Sequence, residues 1–135
     1  MSQSATRGFA DGAAVGQRTG EASTSTQVLP GSGIICPRAH RESPFELTEQ
    51  EWLDTQRVLL RAKASIDERL QPDGYNLNWN VMPVGGQEVA HVHLHVIPRF
   101  ADEPLARRGA RWHLKQITNL RPNPLARGNG GSGTR

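Results

Sequence analysis

The chain has a single cysteine, Cys36. No disulfide can close within it, so a reducing compartment is the expected setting. No stretch approaches the roughly 18 consecutive apolar residues of a membrane span, and Met1-Ser2-Gln3-Ser4-Ala5-Thr6-Arg7 lacks the apolar centre of a secretory leader. A cytoplasmic location with no membrane partner is therefore expected. Aromatic residues are scarce, at 5%, which bears on the one strongly charged region. Residues 1–98 carry 8 basic and 11 acidic groups (−3), whereas residues 99–135 carry 8 basic and 2 acidic (+6). Such a tail favours an anionic ligand or is simply solvated. Its one adjacent basic pair, Arg107 and Arg108, has only Trp112 near it for stacking, so nucleic acid is not the expected partner.

What the chain does hold fits one soluble domain: 135 residues, 36% hydrophobic and 21% charged. Residues 1–27 are rich in Gly, Ala, Ser and Thr and are expected to be poorly structured, or to offer at most a weak first strand over Ser23–Leu29. Pro30-Gly31-Ser32-Gly33 reads as a turn before a short strand, Ile34–Cys36, which Pro37 ends. In that strand Cys36 is expected to pack as a small hydrophobe.

Glu49–Leu70 has helical periodicity. Thr48 and Glu51 fit a capping box, Leu47 and Trp52 a hydrophobic staple, and Trp52, Leu59, Ala62, Ile66 and Leu70 are the expected core face. Gln71-Pro72-Asp73-Gly74 ends the helix. From Tyr75 to Met82 the pattern alternates, with Tyr75, Leu77, Trp79 and Val81 on one side and Asn76, Asn78, Asn80 and Met82 on the other. The domain is expected to cover residues 28–120, with a flexible tail over residues 121–135.

His91-Val92-His93-Leu94-His95-Val96-Ile97 decides the functional reading. Strand side chains alternate faces, which puts three imidazoles in a row about 6.6–6.8 Å apart, with Ala90, Val92, Leu94 and Val96 on a core-like opposite face. Burying three histidines as mere structure would demand a polar partner for each ring. After Pro83-Val84-Gly85-Gly86-Gln87, an antiparallel hairpin would set this histidine face beside the asparagine face.

Two chemistries suit such a face. A metal site needs further ligands and acceptors that fix each tautomer, yet no cysteine pair exists and Glu88 is the nearest acid; no metal and no cofactor are expected. The preferred alternative is nucleophilic attack by an imidazole on phosphorus, with a phosphoramidate that water later cleaves. The backbone N–H groups of Gly85-Gly86-Gln87, with His91, His95 and Asn80, would hold the phosphate oxygens.

Gly86-Gln87-Glu88-Val89-Ala90-His91-Val92-His93-Leu94-His95-Val96-Ile97-Pro98-Arg99 resembles the signature of the histidine triad (HIT) family of nucleotide hydrolases and transferases. The resemblance reaches upstream through Gly74-Tyr75 and Asn80 to Pro30-Gly31 and Ile34-Ile35-Cys36-Pro37-Arg38-Ala39-His40, covering about residues 28–100. It implies an α+β fold in which an antiparallel sheet packs against one long helix, usually as a homodimer. It also implies cleavage of nucleoside phosphoramidates or dinucleoside polyphosphates, releasing a nucleoside monophosphate through a nucleotidyl-histidine. On this pattern His93 is the nucleophile, His91 and His95 flank it, and His40 completes the cluster. Gly86 and Gln87 would meet the phosphate or leaving group, and Asn80 would hold the neighbouring framework.

Two departures stand out. Many members of the family have Ser or Thr where this chain has Glu88, whose carboxylate is expected to favour a protonated histidine and repel phosphate. Ahead of Pro30, Glu21-Ala22-Ser23-Thr24-Ser25-Thr26-Gln27 replaces the usual hydrophobic strand and ribose-binding residue. A nucleotide-binding module with little or no catalysis is thus the alternative. Pro98-Arg99 leans towards polyphosphate substrates, and Gly85-Gly86 with Asn80 towards phosphoramidates.

Overall fold

The computed structural model of the chain describes residues 30–124 together with two short strands nearer the N-terminus. Five antiparallel strands, β1 (Arg7–Gly8), β2 (Ala13–Gly16), β3 (Gly33–Pro37), β4 (Gly74–Trp79) and β5 (Leu94–Arg99), form one sheet in the order β1-β2-β3-β5-β4. Neither β1 nor β2 was signalled by hydrophobic alternation, and the strand expected over Ser23–Leu29 lies outside the described residues, as does the tail beyond residue 124.

The long helix α1 runs over Glu49–Leu70, the span expected. Its N-terminus is fixed reciprocally: Glu51 N donates to Thr48 Oγ1 at 3.1 Å and Thr48 N to Glu51 Oε2 at 2.8 Å. At the far end Gln71 turns left-handed (φ 49°, ψ 54°) and donates its N–H to Asp67 O at 3.1 Å. The buried centre of α1 is Thr55 and Val58, with Leu59 and Ile66 partly buried beside them. Thr55 can be buried because its hydroxyl donates to Glu51 O at 2.7 Å.

Trp52 and Leu70, expected in the core, are 45% and 38% exposed. Length explains this: a 22-residue helix spans about 33 Å, but six-residue strands span only about 20 Å. The two ends of the helix are accordingly less covered than its centre. Trp52 still meets Trp79 of β4 edge to face, with ring centroids 5.7 Å apart.

Strands β4 and β5 form the expected hairpin, with Tyr75 opposite Pro98, Leu77 opposite Val96 and Trp79 opposite Leu94 on one face, and Asn78 opposite His95 on the other. Burial alternates without a break from Val92 through Leu94 and Val96 to Pro98, all buried, while His91, His93, His95 and Ile97 are half-buried. Ile35 of β3, 1% exposed, completes this core with Val58, Leu94 and Val96.

Outside the core, Arg99 gathers the segment after β5. Its guanidinium donates to Glu103 and Asn76, to Arg108 O at 3.2 Å and to Leu105 O at 2.6 Å. The short helix α2 (Ala110–Leu114) and the residues after it are exposed. No helix among the described residues is long and apolar enough to cross a membrane.

Tyr75 ties β4 to α1, its hydroxyl donating to Asp67 Oδ1 at 2.6 Å while Lys63 Nζ reaches Asp67 Oδ2 at 2.5 Å. Burial, and then the Asp67 carboxylate, push the Tyr75 hydroxyl from its ordinary value of 10.0 up to about 12. A folded-state value raised in this way contributes stability that is whole below pH 10 and is lost as pH rises towards about 12. Urea midpoints are expected to fall across that window for the wild type and to fall less for Tyr75→Phe; equal declines would remove Tyr75 as the cause.

Candidate active site

The histidine row sits on β5 and the chain leading into it. Only His95 lies within the regular strand; His91 and His93, expected in the same strand, precede it. Strand β4 stops at Trp79 because Met82 takes a positive φ of 63° and Pro83, without an N–H, opens a 3₁₀ turn over Pro83–Gly85. The chain entering β5 thus has no β4 partner, and Val92 N donates instead to Arg41 O at 2.7 Å. Side chains keep alternating there nonetheless, so the three rings share a side, as expected.

That side opens into a cleft of about 290 Å³. It is lined by Ile34 and Cys36 of β3, by Asn80, Gly86, Glu88 and Val89, and by His91, His93 and His95. Alternation accounts for Ile34 and Cys36: Ile34 pairs with His95 and shares its face, whereas Ile35 points into the core opposite Leu94. Burial pushes the Cys36 thiol above its ordinary range, so the thiol form is favoured, and the half-buried side chain borders the cleft.

Two backbone carbonyls orient the key imidazoles. His91 Nε2 lies 2.9 Å from Pro37 O, and His93 Nδ1 lies 2.8 Å from His91 O. A carbonyl only accepts, so these nitrogens carry the protons. Neutral His93 then has its lone pair on Nε2. The His93 and His95 rings meet edge to face at 4.7 Å, as do those of His40 and His91 at 5.4 Å. His40 does not line the cleft. It stands behind His91 with its side chain 68% exposed and Nε2 3.9 Å from a Glu42 carboxylate oxygen.

The expected phosphate cradle is not built from the glycine loop. Gly85 N, Gly86 N and Gln87 N donate to Met82 O, Pro83 O and Met82 O at 2.9, 2.9 and 3.1 Å; the 3₁₀ turn uses all three amides internally. Gln87, expected to meet phosphate, is likewise turned to structure. Its Oε1 accepts from Met82 N at 2.9 Å and its Nε2 donates to Glu42 O at 2.8 Å, so it joins the loop to the 38–43 segment and does not line the cleft. Asn80 does line it, held by Nδ2 donating to Gly86 O at 3.3 Å and by Oδ1 accepting from Asn78 Nδ2 at 2.5 Å. Gly86, at φ 92°, occupies a conformation that side-chain-bearing residues rarely adopt.

The 38–43 segment is itself anchored to α1. Arg41 donates from Nε and Nη2 to the Glu51 carboxylate at 3.0–3.2 Å, which holds Glu51 below the ordinary carboxylate range. Pro37 O, Arg41 O and Glu42 O thereby become fixed acceptors for His91, Val92 and Gln87. Residue types carry no direct signal for these carbonyl contacts.

Three imidazoles on β5 and the chain entering it, beside β3 and braced by backbone carbonyls, define a histidine-cluster site on an α+β sheet. The HIT domain family matches residues 24–102, and the chain belongs to it. The chain is 33% identical over 72 residues to the bis(5′-adenosyl)-triphosphatase of Dictyostelium discoideum, covering 53% of this chain and 48% of that protein. To the adenosine 5′-monophosphoramidase of Schizosaccharomyces pombe it is 27% identical over 73 residues, covering 54% of this chain and 52% of that protein. The chain thus spans about half the length of these curated relatives. A crystal structure of a HIT family protein from Bacillus subtilis shares the fold, with TM-score 0.61 and 24% identity over 74% of this chain and 67% of that one.

Proposed function

We propose that this chain is a nucleotide hydrolase or transferase that releases a nucleoside monophosphate through a nucleotidyl-His93 intermediate. The observation that carries the reading is the His93 Nδ1–H bond to His91 O at 2.8 Å, which leaves the Nε2 lone pair on a ring lining the cleft. In the first step Nε2 attacks phosphorus, an N–P bond forms, and the bond to the leaving group breaks with its electron pair, the leaving group then taking a proton. In the second step water attacks the same phosphorus. The N–P bond breaks, the nucleotide departs, water's proton goes to solvent or a neighbouring base, and His93 is restored.

His91 and His95 flank the nucleophile in this reading, and His40 buttresses His91 through its ring edge. Asn80 and Gly86 border the phosphate, whereas Gln87 acts through the loop it ties. No metal or cofactor is assigned a role. The names of the Dictyostelium and Schizosaccharomyces relatives support nucleotide substrates. Pairing of two copies belongs to the same proposal and is supported by the apolar side chains Leu53, Leu60 and Leu77, 48–59% exposed on α1 and on the edge strand β4. A cytoplasmic setting is also proposed.

Incubation with adenosine 5′-phosphoramidate and with diadenosine triphosphate should release AMP from at least one of them. The internally used amides of residues 85–87 favour a second reading, a nucleotide-binding module with negligible turnover. AMP binding by calorimetry, with no AMP release from either compound, would select that one.

A further inference from the structure

The ring of His93 is oriented through a series of contacts that begins on the helix. Its Nδ1–H is held by His91 O at 2.8 Å. That oxygen belongs to the same peptide unit as Val92 N, which donates to Arg41 O at 2.7 Å. The unit is trans, and a trans peptide is a rigid plane whose C=O and N–H point in opposite directions. The bond to Arg41 O on one edge therefore sets the direction of His91 O on the other. Movement of Arg41 would swing the acceptor of the His93 proton.

Arg41 is in turn gripped by α1. Its Nε lies 3.2 Å from both Glu51 carboxylate oxygens and its Nη2 3.0 Å from Oε1, a forked contact that fixes direction as well as distance. Glu51 is itself anchored, its carboxylate accepting from Thr48 N at 2.8 Å and its carbonyl from the hydroxyl of buried Thr55 at 2.7 Å. Glu46 braces the same segment by accepting from Glu42 N and Ser43 N, but those bonds close it on the turn that follows and do not reach α1.

We infer that Arg41 and Glu51 are positioning residues for the reaction, an ion pair that fixes the His91–Val92 peptide plane and through it the tautomer and direction of the His93 ring. The assignment rests on the proposed nucleotide hydrolase reading and adds to it two side chains that do not line the cleft. With the pair intact, the proton stays on Nδ1 and Nε2 keeps its lone pair. A ring released from His91 O spends part of its time protonated at Nε2, where it cannot attack. The pair therefore acts on kcat and leaves KM nearly alone.

Three variants test this: Arg41→Met, which removes the guanidinium; Arg41→Lys, which keeps the charge; and Glu51→Gln, which keeps an oxygen for Thr48 N but loses the charge. With adenosine 5′-phosphoramidate, Arg41→Met is expected to lower kcat about tenfold, the scale on which misplacing a reacting group acts, with KM within about twofold of wild type. Glu51→Gln should fall between the two, and Arg41→Lys should recover most of the lost rate. The two side chains are 34% and 17% exposed, and a partly exposed ion pair contributes little to global stability, so melting temperatures should stay close to wild type. The decisive readout is a long-range proton–nitrogen correlation spectrum of the imidazoles at about pH 8, where they are neutral, with His93 signals assigned by their absence from His93→Ala. Wild type and Arg41→Lys should show His93 protonated at Nδ1, and Arg41→Met a mixture of both tautomers. A His93 spectrum in Arg41→Met identical to that of wild type would overturn the positioning role, as would a loss of kcat that follows lowered melting temperature across the variants. Absence of AMP release by wild type would overturn the nucleotide hydrolase reading and the role in catalysis with it; the spectra, taken on resting protein, decide separately whether the pair sets the His93 ring.

Discussion

Replacing His93 by alanine is expected to reduce AMP release on the order of ten-thousandfold or more, the scale on which loss of a covalent nucleophile acts when no neighbour substitutes for it. No neighbour is placed to do so. His91 has its Nε2 committed to Pro37 O, and His95 is held one strand step further on, opposite Asn78. The side chain of His93 is half-buried on the cleft side of the chain while Val92 and Leu94 on either side of it hold the core contacts. Truncation should therefore spare the fold, and AMP binding measured by calorimetry should stay within a few-fold of wild type. Loss of turnover together with loss of the folded thermal transition would assign His93 a structural role instead.

The second large effect concerns stability. Ile35 is 1% exposed and packs with Val58, Leu94 and Val96, joining β3 to α1 and β5. Ile35→Ala leaves a cavity that rigid neighbours cannot close, at a cost of about 3 kcal/mol, which in a domain of this size lowers the melting temperature by roughly 10 °C. Its neighbours Ile34 and Cys36 face the cleft, so Cys36→Ser should cost clearly less. A melting shift for Ile35→Ala no larger than that for Cys36→Ser would contradict the assignment of faces in β3.

The faces of the histidine strand were legible in the sequence because strand alternation is a hard geometric rule, whereas those of β3 were not. The Ile-Ile-Cys run gives no alternation of its own, but the histidine strand does, and pairing Ile34 with His95 transfers the assignment across the sheet. The bounds of α1 were equally legible, since Thr48, Glu51 and Gln71-Pro72 stop and start a helix through local hydrogen bonds and sterics alone. Trp52 was misplaced because periodicity reports which side of a helix faces the sheet and says nothing of where the sheet ends beneath it.

Around the site, residue types were read more reliably than their employment. A Gly-Gly-Gln run before a histidine row suggests free amides, yet Met82 and Pro83 fold that run into a 3₁₀ turn that uses each amide internally. Gln87 followed the same course, its carboxamide satisfied by Met82 N and Glu42 O. The acceptors that set the tautomers, Pro37 O and His91 O, belong to the main chain. They become visible only when the fold brings the 37–42 segment against residues 87–92.

The central claim is that phosphorus passes through His93 Nε2, and a rapid-quench experiment tests it most directly. Wild-type protein mixed with adenosine 5′-phosphoramidate is stopped in alkali, which spares the acid-labile imidazole–phosphorus bond, then digested and fragmented in a mass spectrometer. An adenylyl group on His93, rising before AMP reaches its steady rate and absent from His93→Ala, is the predicted result. AMP formation with no adduct at any time, or an adduct on His91 or His95 alone, would contradict the account.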